Sequence, residues 1–191
     1  MGKEEKLRQL EAEAKKCARC GLNRTRTNVV FGSGPPDAEI MLVGEGPGLM
    51  EDKSGLPFVG AAGKNLDALL QIAGLKRSHV YITNVVKDRP PGNRDPTDEE
   101  IEACRPFLEG QISTIKPKLI IALGRIAART LLGRHVSMGE EHGMLFDCTY
   151  AGVRFKLFVT YHPAAALYSA EAKRKLRSDF EKLGEILKSV G

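Results

Sequence analysis

Residues 39–48 read EIMLVGEGPG, a short apolar run that ends in a glycine-rich loop. A continuous run of this kind is typical of a strand buried on both faces of a sheet, and the glycines permit a tight turn after it. The pattern returns at 80–86 (VYITNVV) and at 118–123 (KLIIAL), and helical patterns separate the three runs. Strands that alternate with helices in this way predict a parallel sheet covered on both faces.

The remaining segments complete this architecture. Helices are expected, in chain order, at 3–16, 63–73, 97–115, 125–132 and 170–188. Residues 143–160 hold two β-rich runs, LFDCTY and VRFKLFVT, which predict a hairpin leading into the sheet. A further short strand is expected at 28–31. We therefore predict one domain over residues 1–191, a three-layer α/β/α sandwich around a mostly parallel, four-stranded sheet.

Composition narrows the class of protein. The 191 residues are 42% hydrophobic and 28% charged, which fits an ordinary globule and excludes a disordered or collagen-like chain. No apolar run approaches the roughly 20 residues of a membrane span, and the first ten residues are too polar for a signal peptide, so we expect a cytoplasmic protein. The net charge of +5 modestly favours a polyanionic partner.

Ligands of parallel sheets bind beyond the carboxyl ends of the strands. We therefore expect four loops to converge, namely those after Val43, Val86, Leu123 and Thr160. The glycine loop GEGPG is not a dinucleotide fingerprint, because Leu49 stands where the third glycine belongs. Gly63 and Lys64 are followed by Asn65, so a Walker loop is absent as well, and a nucleotide site is disfavoured.

The cysteines favour a metal or cluster site over disulfides, because the chain has no secretory signal. Cys17 and Cys20 form a CxxC pair, and Cys104 is the natural third ligand. The fourth ligand is open between Cys148 in the hairpin and Asp88 in the proline-rich loop after the second strand.

Several separated motifs resemble, in their order, those of family 4 uracil-DNA glycosylases, the iron-sulfur thermophilic type. They are GEGPG at 44–48 with Glu51, Asp52 and Lys53 after it, GLPFVGAAG at 55–63, TNVVKDRPPGNRDP at 83–96, LIIALG at 119–124 and TYHPAAAL at 160–167. The resemblance covers nearly the whole chain. It implies an enzyme of base excision repair that flips uracil out of DNA and hydrolyses its N-glycosidic bond to leave an abasic site.

The resemblance also assigns roles in the pocket. Phe58 matches the phenylalanine that stacks on uracil, Asn84 the asparagine whose amide reads the base edge, and His162 the histidine that hydrogen-bonds uracil O2 as negative charge develops. The other histidines are assigned to the surface or to packing: His79, His135 and His142.

The glycine loop bears on mechanism. Gly46 stands where glycosylases with a stronger water-activating group carry Asp, so the resemblance implies that catalysis depends on stabilising the leaving uracil. We expect Glu45 to position water, or to hold the loop through Asn93, rather than to abstract a proton. Gly44 and Gly46 are expected to let the backbone approach the substrate closely.

DNA contacts are expected around the same cleft. Leu167 is the expected apolar wedge that fills the gap left by the flipped base, with Tyr168 as the alternative. Phosphate or other DNA contacts are expected from Lys87, Arg89, Asn93, Arg94 and Arg125.

One position departs from the family pattern. The family's four cluster cysteines match positions 17, 20, 88 and 104, and position 88 is aspartate here. Our hypothesis is a structural 4Fe-4S cluster in an N-terminal arm, held by Cys17, Cys20, Asp88 and Cys104. A three-iron cluster, or Cys148 in place of Asp88, are the alternatives.

Two other functions stay open on the sequence. One is a protein of the same fold that binds uracil-DNA without turnover or traps it covalently, although the stretch from Asp88 to Pro96 has no room for the basic, histidine-ending insertion of that group. The other is an iron-sulfur electron carrier. The resemblance adds a sliding clamp as a partner, and the absence of a leftover apolar stripe predicts a monomer.

Overall fold

The computed structural model describes residues 1–190 and places five strands in one sheet. They are β1 (Ile40–Gly44), β2 (Tyr81–Asn84), β3 (Leu119–Leu123), β4 (Leu145–Tyr150) and β5 (Val153–Thr160). Their order is β2-β1-β3-β5-β4, in which β2, β1, β3 and β5 run parallel and β4 is antiparallel to β5. The mostly parallel sheet is confirmed, with five strands instead of the four predicted.

The hairpin supplies the additional strand. Ala151 and Gly152 both have positive φ, at 51° and 75°, a turn geometry whose twist matches that of two antiparallel strands. β4 therefore pairs along β5 from Leu145 to Tyr150 and becomes an edge strand. The short strand expected at 28–31 does not form; the nearest pairing is a single bridge between Ser33 and Ile82.

Residues 1–190 contain seven α-helices. They are α1 (Lys3–Lys15), α2 (Leu49–Ser54), α3 (Ala61–Ile72), α4 (Asp98–Ile115), α5 (Arg125–Leu132), α6 (Met138–Glu141) and α7 (Ala170–Val190). The two short helices α2 and α6 were not predicted from the sequence. No helix in this part of the chain is both long and apolar enough to cross a membrane.

Two hydrophobic cores lie on opposite faces of the sheet. Successive strand residues point to opposite faces, so Met41 and Ile120 join one core while Leu42 and Ile121 join the other. The first core is closed by residues of α1, α4 and α5, and the second by residues of α3 and α7. This arrangement confirms the three-layer sandwich. It leaves the carboxyl ends of the parallel strands at one edge, where the loops collect.

Candidate active site

A cavity of about 410 Å³ opens at the carboxyl ends of β1, β2 and β5. Its walls come from the glycine loop after β1, the segment before α3, the end of β2 with its proline-rich loop, and the turn after β5. The residues that matter most here are Glu45, Phe58, Asn84 and His162. Three of the four loops predicted to converge therefore line the cavity. The loop after β3 does not line it, and the start of α5 reaches the site only through the Ile126 N–H that donates to Glu45.

Phe58 and His162 place two stacked aromatic rings in the cavity wall. Their rings lie 5.5 Å apart between centroids, at an interplanar angle of 26°. Phe58 is 5% exposed and has a φ of 50°, a left-handed conformation that is uncommon for a bulky residue. Strained backbone of this kind persists where the surrounding structure holds it, and it is concentrated at functional sites. The arrangement offers a flat face to an aromatic ligand.

Asn84 lies at the end of β2 and presents its amide to the same cavity. The residue is 1% exposed, and its Oδ1 has no hydrogen-bond partner among residues 1–190. A buried acceptor without a donor costs about 1–3 kcal/mol, and a ligand with an N–H group at this point would remove that cost. Gly44 stands beside it, and a Cβ there would lie 2.7 Å from the Phe58 ring and would also clash with Asn84 Oδ1. Only glycine leaves this corner open.

His162 is held as a neutral hydrogen-bond donor. Its Nδ1 accepts from the Ala164 N–H at 3.0 Å, which assigns the ring proton to Nε2. Burial lowers the pKa of His162 to about 4. The ring therefore carries no charge at neutral pH and presents Nε2–H to a partner.

Glu45 joins the glycine loop to the start of α5. Its Oε2 accepts from the Ile126 N–H at 3.1 Å, and Gly124 allows this approach, since a Cβ there would lie 2.6 Å from the same oxygen. Burial raises the pKa of Glu45, while the hydrogen bond from Ile126 opposes that shift. The expected contact through Asn93 is not formed, because the Asn93 side chain accepts from Arg89 instead, at 2.7 Å.

Glu51 is a residue of the site to which sequence reasoning gave no role. Its carboxylate accepts three main-chain N–H groups, from Gly48 at 3.0 Å, Val59 at 2.9 Å and Gly60 at 2.8 Å. It thereby fastens the glycine loop to the segment that carries Phe58. The capping pattern of α2 accounts for the Gly48 contact, but the other two depend on the fold.

The predicted DNA contacts divide into two groups. Asn93, Arg94 and Leu167 line the mouth of the cavity, and Leu167 is 44% exposed. Exposed Tyr168 lies beside Leu167 in the same rim. A further group does not line the cavity: Lys87, Arg89 and Arg125.

Arg125 is exposed at the start of α5 and Arg89 is half-buried in the loop after β2, whereas the prediction for Lys87 is wrong. Lys87 is 1% exposed, with its ammonium bonded inside the protein, and it cannot reach a phosphate in this fold.

A second, small pocket brings together the predicted cluster ligands Cys17, Cys20, Asp88 and Cys104. Cys104 lies in the second turn of α4. The main-chain N–H of Lys87 donates to its Sγ at 3.3 Å, and burial raises the pKa of the Cys104 thiol to about 11. Cys148 does not line this pocket and donates to the Leu131 carbonyl, which contradicts its role as the fourth ligand.

Asp88 is ion-paired within this pocket. Its Oδ2 accepts from Arg26 at 2.9 Å, and burial raises the pKa of Asp88 while Arg26 lowers it. Among residues 1–190, no three His, Cys, Asp or Glu side chains are grouped closely enough to hold one metal ion. In a cubane cluster each thiolate binds a different iron, so its ligands stand farther apart than those of a single ion. The pocket thus brings together three thiols, the donors that iron-sulfur clusters take, and one carboxylate.

Comparison with known proteins agrees with this geometry. Residues 31–186 match the family model of the uracil DNA glycosylase superfamily. The chain is 46% identical over 188 residues to a type-4 uracil-DNA glycosylase of Sulfurisphaera tokodaii, covering 94% of this chain and 84% of that protein. It is 44% identical to the type-4 enzymes of Archaeoglobus fulgidus (95% and 94% covered) and Thermotoga maritima (99% and 98% covered). The chain belongs to the uracil DNA glycosylase superfamily, in its type-4 group.

Proposed function

We propose that this protein is a monofunctional uracil-DNA glycosylase, which flips uracil out of DNA and hydrolyses its N-glycosidic bond to leave an abasic site. The observation that carries the proposal is Asn84, whose buried Oδ1 lines the cavity without a partner beside the ring of Phe58. The type-4 relatives support the same substrate. A flipped base is the ligand that needs both a ring to stack on and an amide to pair with.

The amide of Asn84 explains why uracil would be chosen over cytosine. Uracil presents an N–H at N3 and a carbonyl at C4, which complement Oδ1 and Nδ2 of the amide. Cytosine presents the opposite pattern, an acceptor at N3 and an amino group at C4. Because a buried site penalises groups left unpaired, this mismatch disfavours cytosine.

His162 supplies the electrostatic part of catalysis. When the C1′–N1 bond breaks, its electron pair moves into the uracil ring and charge builds on O2. The neutral His162 has an Nε2–H to donate to that oxygen. A donor fixed in advance inside a buried site is worth more than one in water.

Glu45 completes the reaction by placing the nucleophile. Its Oε2 is occupied by the Ile126 N–H, and Oε1 is the oxygen left to accept from a water molecule. The water oxygen bonds to C1′ as uracil leaves with the electron pair, and the water proton goes to solvent. Gly46 offers no second carboxylate next to this position, so leaving-group stabilisation carries more of the rate.

The test uses a labelled duplex with a single uracil. After incubation, alkali cleaves the DNA at abasic sites, and a denaturing protein gel reveals any covalent adduct. We expect alkali-labile product and no adduct, with His162→Ala and Asn84→Ala each strongly reducing the product. An adduct would favour the covalent uracil-DNA binding protein, and the absence of product in anaerobic, metal-replete buffer would refute the glycosylase.

DNA is proposed to lie across the mouth of the cavity. Leu167 is the exposed wedge there, with Tyr168 next to it, and Arg94 and Asn93 line the same cavity. Arg89 and Arg125 are proposed to hold phosphates on either side. The net charge of +5 supports binding to a polyanion.

We also propose a 4Fe-4S cluster as the cofactor, held by Cys17, Cys20, Cys104 and the Asp88 oxygen that Arg26 leaves free. When bound, it would crosslink the N-terminal arm, the loop after β2 and α4, with no part in the hydrolysis. The similarity to type-4 enzymes supports a cluster as the cofactor. The Lys87 main-chain N–H donates to Cys104 Sγ, and hydrogen bonds to ligand sulfurs are usual around iron-sulfur clusters. Substoichiometric iron and sulfide after anaerobic purification would contradict it.

The remaining proposals follow from the substrate and the resemblance. We propose that the protein is a monomer, that it acts on DNA in the cytoplasm, and that a sliding clamp is one of its partners. The molar mass measured in solution tests the monomer. A pull-down with purified protein and purified clamp tests the partner.

A further inference from the structure

Lys87 is among the largest fully buried side chains of the protein, at 1% exposure, although the sequence suggests an exposed DNA contact. Burying an amine is expensive unless it is hydrogen-bonded, so a buried lysine calls for a structural reason. The hydrolysis proposed above makes no direct use of it.

Two hydrogen bonds occupy the Lys87 Nζ. It donates to Thr83 Oγ1 at 2.8 Å and to the main-chain carbonyl of Asn84 at 2.6 Å. Thr83 is fixed in turn, since its hydroxyl donates to the Phe31 carbonyl at 2.7 Å. These two bonds use two N–H groups of Nζ, a number that both an ammonium and a neutral amine can supply.

The carbonyl that Lys87 holds belongs to the residue whose amide faces the cavity. Asn84 is the last residue of β2, so its carbonyl lies where the strand ends and the loop begins. Its Oδ1 has no partner among residues 1–190, so the side chain itself does not fix the amide plane there. Pairing with β1 already holds the main chain of Asn84, and the bond from Lys87 Nζ to its carbonyl adds a second restraint at the strand end, which bears on where that amide points.

We infer that Lys87 is a positioning residue for base reading: its Nζ holds the main chain of Asn84 so that the amide meets the edge of a flipped base. The inference rests on the proposed function. Lys87 also reaches the cysteine pocket, since its main-chain N–H donates to Cys104 Sγ. One residue thereby connects the two pockets of the molecule.

A double-mutant cycle with the intact, metal-loaded enzyme tests this role. The substitutions are Lys87→Met, Asn84→Ala and both together, and the readout is kcat/KM on the uracil duplex. We expect Lys87→Met to lower kcat/KM by about 30-fold and to have almost no effect once Asn84 is alanine, because residues that act as a unit are not additive. Lys87→Gln keeps a donor and should recover part of the loss.

Gln111→Met is the matched control. Gln111 is fully buried in the same polar network, where it donates to the Phe31 carbonyl and to Tyr81, but it does not contact Asn84. We expect its effect on kcat/KM to be small and to multiply with that of Asn84→Ala. A general loss of packing would give this multiplicative result for both variants.

The outcomes separate the two proposals. If the unsubstituted protein released uracil and the effects of Lys87→Met and Asn84→Ala multiplied, Lys87 would not position Asn84, and the glycosylase would stand. If the unsubstituted protein released no uracil, the proposed function itself would fail. Should Lys87→Met not fold, the cycle is run with Lys87→Gln, for which the same non-additivity is expected at a smaller amplitude.

Discussion

Arg26 donates to the carboxylate of Asp88 at 2.9 Å, and the same guanidinium nitrogen donates to the carbonyl of Cys17 at 2.9 Å. Its other terminal nitrogen reaches the carbonyl of Lys15 at 3.1 Å. One side chain therefore fastens the end of α1, the CxxC segment and the loop after β2. Position 88, where family 4 glycosylases have a cluster cysteine, is Asp88 in this chain. Its ion pair with Arg26 joins these segments without a metal.

The first prediction concerns that ion pair in the absence of metal. Arg26→Met leaves the Asp88 carboxylate in a mostly buried place without its cation, so the free energy of unfolding of metal-free protein should fall by about 1–3 kcal/mol. Urea unfolding measures this. Arg24→Met, an exposed arginine of the same segment, is the control. Equal losses in both variants would show that the ion pair adds nothing.

The second prediction concerns the cluster. Asp88→Cys supplies a fourth thiolate, a softer ligand for iron than a carboxylate, and should keep the full iron and sulfide content and slow their loss to a chelator. Asp88→Ser removes the carboxylate without adding a thiol and should hold less iron than the unsubstituted protein. Metal analysis after anaerobic purification gives both values. If Asp88→Ser kept the full iron content, Asp88 would not be a ligand.

The third prediction concerns the space beside Asn84. In Gly44→Ala the new Cβ meets the Phe58 ring and Asn84 Oδ1, so it occupies the place of the base edge. We expect kcat/KM to fall by at least about 100-fold, or about 2.7 kcal/mol of transition-state binding. Gly21→Ala is the control, since a Cβ there has open space around it. Kinetics on the uracil duplex, with thermal unfolding of both variants, would reveal whether the loss is local.

Local pattern predicted most of the fold. The runs at 39–43, 80–86 and 118–123 became β1, β2 and β3 because a continuous apolar run suits a strand covered on both faces. The fifth strand depended on the turn at Ala151 and Gly152, whose two positive φ angles bring β4 against β5 along its whole length. Composition alone does not decide how far such a hairpin pairs.

The sequence predicted those parts of the site whose residues lie at the carboxyl ends of strands, because parallel strands bring these ends together. Asn84 is the last residue of β2 and His162 follows β5, so their convergence in one cavity could be expected. Lys87 was misassigned because a lysine in a basic loop has no local sign of burial. Its ammonium turns back onto the end of β2, where it bonds to Thr83 and Asn84. The contacts of Glu51 with Val59 and Gly60, and of Arg26 with Asp88, join distant segments that no spacing rule connects.

The last prediction concerns the pH dependence of His162. Burial lowers its pKa to about 4, so we expect no inflection near pH 6.5 from this residue, and a loss of kcat/KM only as the pH falls through about 4. Below that pH, Nδ1 gains a proton and no longer accepts from the Ala164 N–H. Stability should respond over a different range: a histidine whose folded pKa is depressed contributes stability above its unfolded pKa of about 6.5, and this is lost as the pH falls toward 4. Single-turnover rates and unfolding midpoints between pH 4 and pH 8 measure both, with His162→Gln as the control that removes the titration. An inflection near pH 6.5 that His162→Gln abolished would mean that the ring is protonated in the working enzyme, and that uracil O2 meets a cation.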